Sequence, residues 1–146
     1  MVAAANVPTT PVTAQCVVQA AKVEHVPLAG LASIMKVEGG VVGHVHKNAD
    51  GSIDFGPMQI NSRWLPQLKR TGITRRELKN NGCVNVLVGA WVFAQQLQRH
   101  PKHPWLAIGL YHSHTQALSK QYQFRVWHEM SKTHSLTTII RHANGQ

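Results

Sequence analysis

Glu38 is one of only six acidic residues in this chain of 146, and it stands at the end of an apolar helical stretch, followed at once by Gly39-Gly40. Sixteen residues later comes the run Asp54-Phe55-Gly56-Pro57-Met58-Gln59-Ile60-Asn61. An isolated carboxylate delivered into a glycine turn, beside a compact loop rich in amide side chains, suits acid catalysis on a sugar. Glycosidic bonds break through oxocarbenium-like transition states, so the leaving oxygen must receive a proton from an acid still protonated near neutral pH. A glutamic acid meets that need only where burial, or the negative end of a helix dipole, disfavours its charge. Taken on position alone, Glu38 reads as a solvated helix-end glutamate. The amide loop changes the reading, because Gln59 and Asn61 both donate and accept hydrogen bonds suited to hydroxyl and N-acetyl groups. Tyr111, after the apolar run from Trp105 to Leu110, is the phenol expected to reach the carboxyl and hold its rotamer.

The elements that must position these residues are mostly helical. A first helix is expected from Thr13 to about His25, starting near Cys16. Leu28, Leu31, Ala32 and Met35 recur with the period of a helix that buries one face and ends at Glu38. Between Gly39 and Gly56 that period vanishes, and Asp50-Gly51 signals the turn of a small β-hairpin or irregular β-like loop. Asn61 or Ser62 caps a short helix through Leu68, and Thr74-Arg75-Arg76-Glu77 has the spacing of a capping box. Val84, Leu87, Val88 and Trp91 open a central core helix whose apolar stripe widens until it is nearly all buried. After Pro101 and Pro104, helices are expected from about Trp105 to Tyr111 and from about Gln116 to Met130, the latter showing Leu118, Tyr122, Val126 and Met130. The fold class is therefore mainly α with a small β element flanking the cleft. Residues 1–12 are expected to form a loose leader, 13–132 the single domain, and 133–146 a tail that is either disordered or docked.

Composition limits the function classes. At 16.2 kDa and 43% hydrophobic residues, the chain suits one domain with a real core. A net charge of +9 favours an anionic partner, yet the basic residues are scattered and only Arg75-Arg76 are adjacent, which disfavours a nucleic-acid arm. The uncharged stretch from Asn80 to Gln98 suits a core helix better than membrane insertion. Cys16 and Cys83 lack metal or redox spacing; they are either one long-range bridge or two buried thiols. His44-x-His46 and His112-x-His114 lack a third ligand that sequence would bring near, so no metal and no cofactor is expected. Of the tryptophans, Trp91, Trp105 and Trp127 read as core, whereas Trp64, beside the amide loop, reads equally as core or sugar platform. Met1 to Ala5 show neither a basic region nor a long apolar stretch, so either the protein is cytosolic or the sequence starts after a removed signal.

From Cys16 to about Trp127 these residues resemble the soluble lytic transglycosylase domains of the lysozyme-like superfamily, especially small members accompanying conjugation and type III or type IV secretion systems. The resemblance rests on Val37-Glu38-Gly39-Gly40 paired with Asp54 to Trp64, on Cys83-Val84-Asn85-Val86 leading into Gly89-Ala90-Trp91, and on Ala107 to Ser113. It implies an α+β lysozyme-like fold, with Glu38 as the single catalytic acid and base, Gln59 lining a glycan groove with Met58 beside it, and Tyr111 supporting the carboxylate. It also implies a Cys16–Cys83 disulfide and export to the periplasm. The expected partner is peptidoglycan, with secretion or conjugation apparatus proteins as further candidates, and the expected state is a monomer. The chain departs from the family's usual pattern at Gly39, where Ser often follows the glutamate, and at His112, where Asn often follows the tyrosine. Asp50 and Asp54 are the available second carboxylates, read as a turn residue and a loop brace.

Overall fold

A computed structural model describes residues 7–132 and 134–146. Among them lie eight α-helices, α1 (Ala14–Val23), α2 (Leu28–Glu38), α3 (Leu65–Lys69), α4 (Arg75–Asn80), α5 (Gly82–Arg99), α6 (Pro104–His112), α7 (Gln116–Ser131) and α8 (Leu136–Ala143). Three short strands, β1 (Val45–Lys47), β2 (Ile53–Phe55) and β3 (Ile60–Asn61), form one antiparallel sheet in sequence order. The expected mainly helical fold with a small β element is what the chain adopts.

Local chemistry sets most boundaries. Thr13 and Thr74 each cap a helix through reciprocal hydrogen bonds with the third helical residue, Cys16 and Glu77. Gly39, at φ 65°, terminates α2 in the left-handed conformation that a glycine adopts without a Cβ penalty. In the β1–β2 hairpin His46 faces Asp54, and in β2–β3 Asp54 faces Asn61. The Asp50 carboxylate accepts from the Ser52 amide and hydroxyl, which closes the hairpin turn and holds its acid below the ordinary range.

The core is built around α5, with Val86, Val88, Ala90, Val92, Phe93 and Ala94 buried against α1, α2 and α6. Helix α7 buries Ser119, Tyr122 and Val126 against α2 and α6. The expected core line Leu118, Tyr122, Val126 and Met130 is only half right: Leu118 and Met130 are exposed. Steps of four residues drift by about 40° around a helix of 3.6 residues per turn, so a line of four rolls out of the core at both ends.

Two other expectations change, and one open alternative is resolved. Trp127 is 51% exposed and Trp105 is likewise at the surface; Trp127 is turned about 100° round α7 from the buried Val126. The described part of the leader is not loose. Thr10 bonds to the Asn80 carbonyl and the Gly82 amide, and Val12 is buried; residues 1–6 lie outside the described residues. The tail takes the docked alternative as α8, whose Ile139 and Ala143 are buried against α1 and α2. No helix among the described residues is long and apolar enough to cross a membrane.

Candidate active site

The cleft, about 640 Å³, lies between the sheet and the helices α5 to α7 and is lined by Glu38, Asp54, Gln59, Asn61, Trp64 and Tyr111 together with His112 and Arg63. Glu38 enters from the C-terminal end of α2. Burial, the largest influence, pushes its carboxyl up from 4.5 to about 7; the Asp54 charge adds to this, while a hydrogen bond from Tyr122 and the Arg125 cation oppose it. The group is therefore poised to hold a proton near neutrality, whereas position alone read it as a solvated helix-end glutamate.

The phenol on the carboxyl differs from the expected one. Tyr122 of α7 donates to Glu38 Oε1 at 2.8 Å, whereas the Tyr111 hydroxyl donates to the Met58 carbonyl at 2.8 Å. Burial, reinforced by the Glu38 charge, raises both phenols well above their ordinary range, so both remain donors. Tyr111 still lines the cleft, but its hydroxyl pins the amide loop. His112 stacks flat on Tyr122, with ring centroids 4.8 Å apart and planes 5° from parallel. Burial, and then the Arg125 charge, lower the His112 pKa, which favours a neutral imidazole on the cleft wall. Arg125 lies 5.9 Å over the other partner of that stack, the Tyr122 ring, and donates to the Val37 carbonyl at 3.4 Å.

Met58 does not line the groove. It is 0% exposed and packs under Gly89 of α5, where any Cβ would approach Met58 Cγ to 2.6 Å. Within the run from Asp54 to Asn61 the large apolar side chains, Phe55, Met58 and Ile60, are the ones driven inward. The backbone there is held by Asn85, which accepts from the Met58 amide at 2.8 Å and donates to the Phe55 and Leu78 carbonyls at 2.7 and 2.9 Å. Sequence reasoning quoted Asn85 without giving it a role. The signal was present: an asparagine inside an almost wholly buried helix must find partners for its amide.

Gln59 takes a left-handed φ of 49°, rare for a residue with a side chain, and its amide donates to the Gly56 carbonyl at 3.0 Å. Gly56 is itself left-handed and lies so close to Asn85 that a side chain there would overlap the amide. Asp54 behaves as the loop brace that its position suggested, accepting from Asn48 at 3.0 Å and Asn61 at 2.8 Å. The Asn61 amide nitrogen, expected to serve sugar contacts, donates both to Asp54 and to the Ser52 hydroxyl. Trp64 lines the cleft and meets Trp91 edge-on at 5.4 Å. Cys16 and Cys83 form a disulfide. His44, His46 and His114 are exposed.

One buried carboxylic acid facing an amide-rich cleft, on a helical scaffold with a small antiparallel sheet, defines a glycan-cleaving enzyme of the lysozyme-like class. The sequence matches the Transglycosylase SLT domain family over residues 15–132, and the chain belongs to that family: it is a peptidoglycan lytic transglycosylase. Among its relatives are the proteins named Invasion protein IagB of Salmonella typhimurium and of Salmonella typhi, each 32% identical over 127 residues that cover 82% of this chain and 77% of the relative. A protein named Peptidoglycan-binding-like protein from Escherichia coli O157:H7 is 35% identical over 69 residues, 46% of this chain and 41% of its own.

Proposed function

We propose that Glu38 is the sole catalytic acid and base of this transglycosylase, and that it cleaves the β-1,4 bond between N-acetylmuramic acid and N-acetylglucosamine with formation of a 1,6-anhydro ring. The observation that carries the reading is the Glu38 carboxyl itself, raised to about 7 at the floor of the cleft, while the nearby Asp54 is engaged by two asparagine amides. Protonated Glu38 gives its proton to the bridging oxygen, and the C1–O bond breaks as the substrate's own acetamide stabilises the cation. The resulting carboxylate then takes the proton of the muramyl C6 hydroxyl, whose oxygen bonds to C1. No water is consumed, and the nucleophile's tether supplies proximity. Gln59, Asn61, Tyr111 and His112 form the walls against which the glycan lies, with Gly39, Asp54 and Gly56 shaping the backbone around it.

Peptidoglycan lies outside the cytoplasmic membrane, so the enzyme acts there; the reading places it in the periplasm, as a monomer that opens the wall locally for a secretion or conjugation apparatus. The family match and the relatives named Invasion protein support that setting. The product decides the chemistry: mass spectrometry of digested peptidoglycan should show muropeptides lighter by one water than hydrolytic ones. Ordinary reducing ends alone would make the enzyme a lysozyme-type hydrolase.

Tyr122 tests the acid assignment further. Its hydrogen bond lowers the Glu38 pKa, so Tyr122→Phe should move the alkaline limb of the kcat/KM profile, where the required proton is lost, to higher pH. The freed rotamer should also reduce kcat by roughly tenfold, the equivalent of one lost charge-assisted bond. An unmoved limb would show that a different group titrates.

A further inference from the structure

We infer that the C-terminal helix α8 braces the turn that carries Glu38, and that His142 is a positioning residue for that carboxyl. The inference rests on Glu38 being the acid. Helix α8 lies beyond the segment matched by the family, which ends at residue 132.

Glu38 is the last residue of α2, so its aim depends on the backbone that leaves the helix through Gly39 and Gly40. One side of that turn is held by the rest of the site. Gly40 sits against the Gly56 carbonyl so closely that a Cβ would overlap it. Helix α7 reaches the last turn of α2 through Tyr122 on the Glu38 carboxylate and Arg125 on the Val37 carbonyl. The other side is held by α8. His142 Nε2 lies 3.0 Å from the Gly39 carbonyl, and the Val42 amide donates to the Ala143 carbonyl at 2.9 Å. A carbonyl only accepts, so Nε2 carries the proton in this contact, which both the imidazolium and the Nε2–H tautomer provide. The carbonyl served is one that the end of a helix leaves without an intrahelical partner.

The brace is itself anchored. Asn144 accepts from the Val12 amide at 2.7 Å and donates to the Val12 carbonyl at 2.9 Å, and the segment around Thr10 is tied to Asn80 and Gly82. Ile139 and Ala143 fix the helix in the core. These attachments keep α8 docked without His142, whose ring is exposed and, among the described residues, makes its side-chain hydrogen bond to the residue directly after Glu38. Its removal should therefore spare the fold and disturb the aim of the carboxyl.

The test compares wild type, His142→Ala, His142→Gln and Glu38→Gln as full-length, disulfide-intact proteins releasing soluble muropeptides from purified peptidoglycan. His142→Ala should lose about tenfold in kcat with apparent KM changed less than about twofold, the signature of an interaction needed only in the transition state. Its melting temperature should stay within a few degrees of wild type, by roughly the shift one exposed hydrogen bond produces. His142→Gln, whose amide reaches the same carbonyl, should recover most of the rate. An unimpaired His142→Ala beside a dead Glu38→Gln overturns the brace and leaves the acid assignment standing. Equal losses in both His142 variants, tracking melting temperature, also overturn it. An active Glu38→Gln overturns the acid assignment and the brace together.

Discussion

Glu38→Gln is expected to cut muropeptide release by roughly 10²- to 10⁴-fold, the range of a lost general acid and base, and at the same time to stabilise the protein at alkaline pH. The amide is nearly isosteric, and its oxygen still accepts the Tyr122 hydroxyl that serves Glu38 Oε1 at 2.8 Å. What it lacks is a transferable proton. The stability gain follows from the raised pKa of 4.5 to about 7. Below the lower value both folded and unfolded chains are protonated and the site costs nothing extra. Between the two values the unfolded chain ionises first, so the native state holds more protons and stability falls as pH rises. Above about 7 the penalty is complete; a gap near 2.5 units at about 1.4 kcal/mol per unit gives about 3 to 4 kcal/mol. Glutamine never ionises, so the variant escapes this loss. Urea unfolding at pH 4 and pH 8 isolates it, because packing changes common to both conditions cancel in the comparison. Lower activity with higher alkaline stability separates a missing proton donor from damaged folding, which would lower both. A wild-type rate, or the same stability difference at both pH values, would remove Glu38 from the mechanism.

The parts of this molecule that were legible in sequence are those governed by neighbours a few residues apart. The period of Leu28, Leu31, Ala32 and Met35 located α2, Gly39 ended it, and the Thr74–Glu77 box started α4. The cleft residue Gln59 was likewise found from the composition of one loop, which left Trp64 open between core and cleft. The errors concern pairings across the chain. Tyr111 and Tyr122 are both phenols on helices flanking the cleft, and only the packing of α7 on α2 decides that Tyr122 meets the carboxyl 84 residues away. Met58 was misplaced because a loop approaching a ligand and a loop pinned to a core both use compact residues; the Gly89 depression that receives it is 31 positions further on. Helix α8 shows the same limit. Leu136, Ile139, Ile140 and Ala143 have helical spacing, but a stripe of eight residues says nothing of its partner, and the contacts of His142 and Asn144 span 103 and 132 residues.

Loss of the Cys16–Cys83 bridge should lower unfolding free energy by about 4 kcal/mol, the chain-entropy value for a loop near 67 residues. Against a usual total of about 5–15 kcal/mol, that is a large share of what keeps a domain folded. The bond joins α1 to the first turn of α5, and α5 carries Asn85, which holds the amide loop; its cysteines lie outside the cleft lining. Cys16 also belongs to the cap of α1, where Thr13 donates to its sulfur at 3.3 Å, so serine, which keeps an acceptor there, isolates the cross-link better than alanine. The Cys16→Ser, Cys83→Ser protein should keep kcat at low temperature and lose its denaturant midpoint; a fall below about 1 kcal/mol would mean that the Thr10 contacts with Asn80 and Gly82 already hold α1 on α5 in the reduced chain. The larger loss would make full stability conditional on an oxidising compartment. For an enzyme whose substrate lies beyond the cytoplasmic membrane, an oxidising compartment there would meet that condition, and a reduced copy retained inside would be the less stable form.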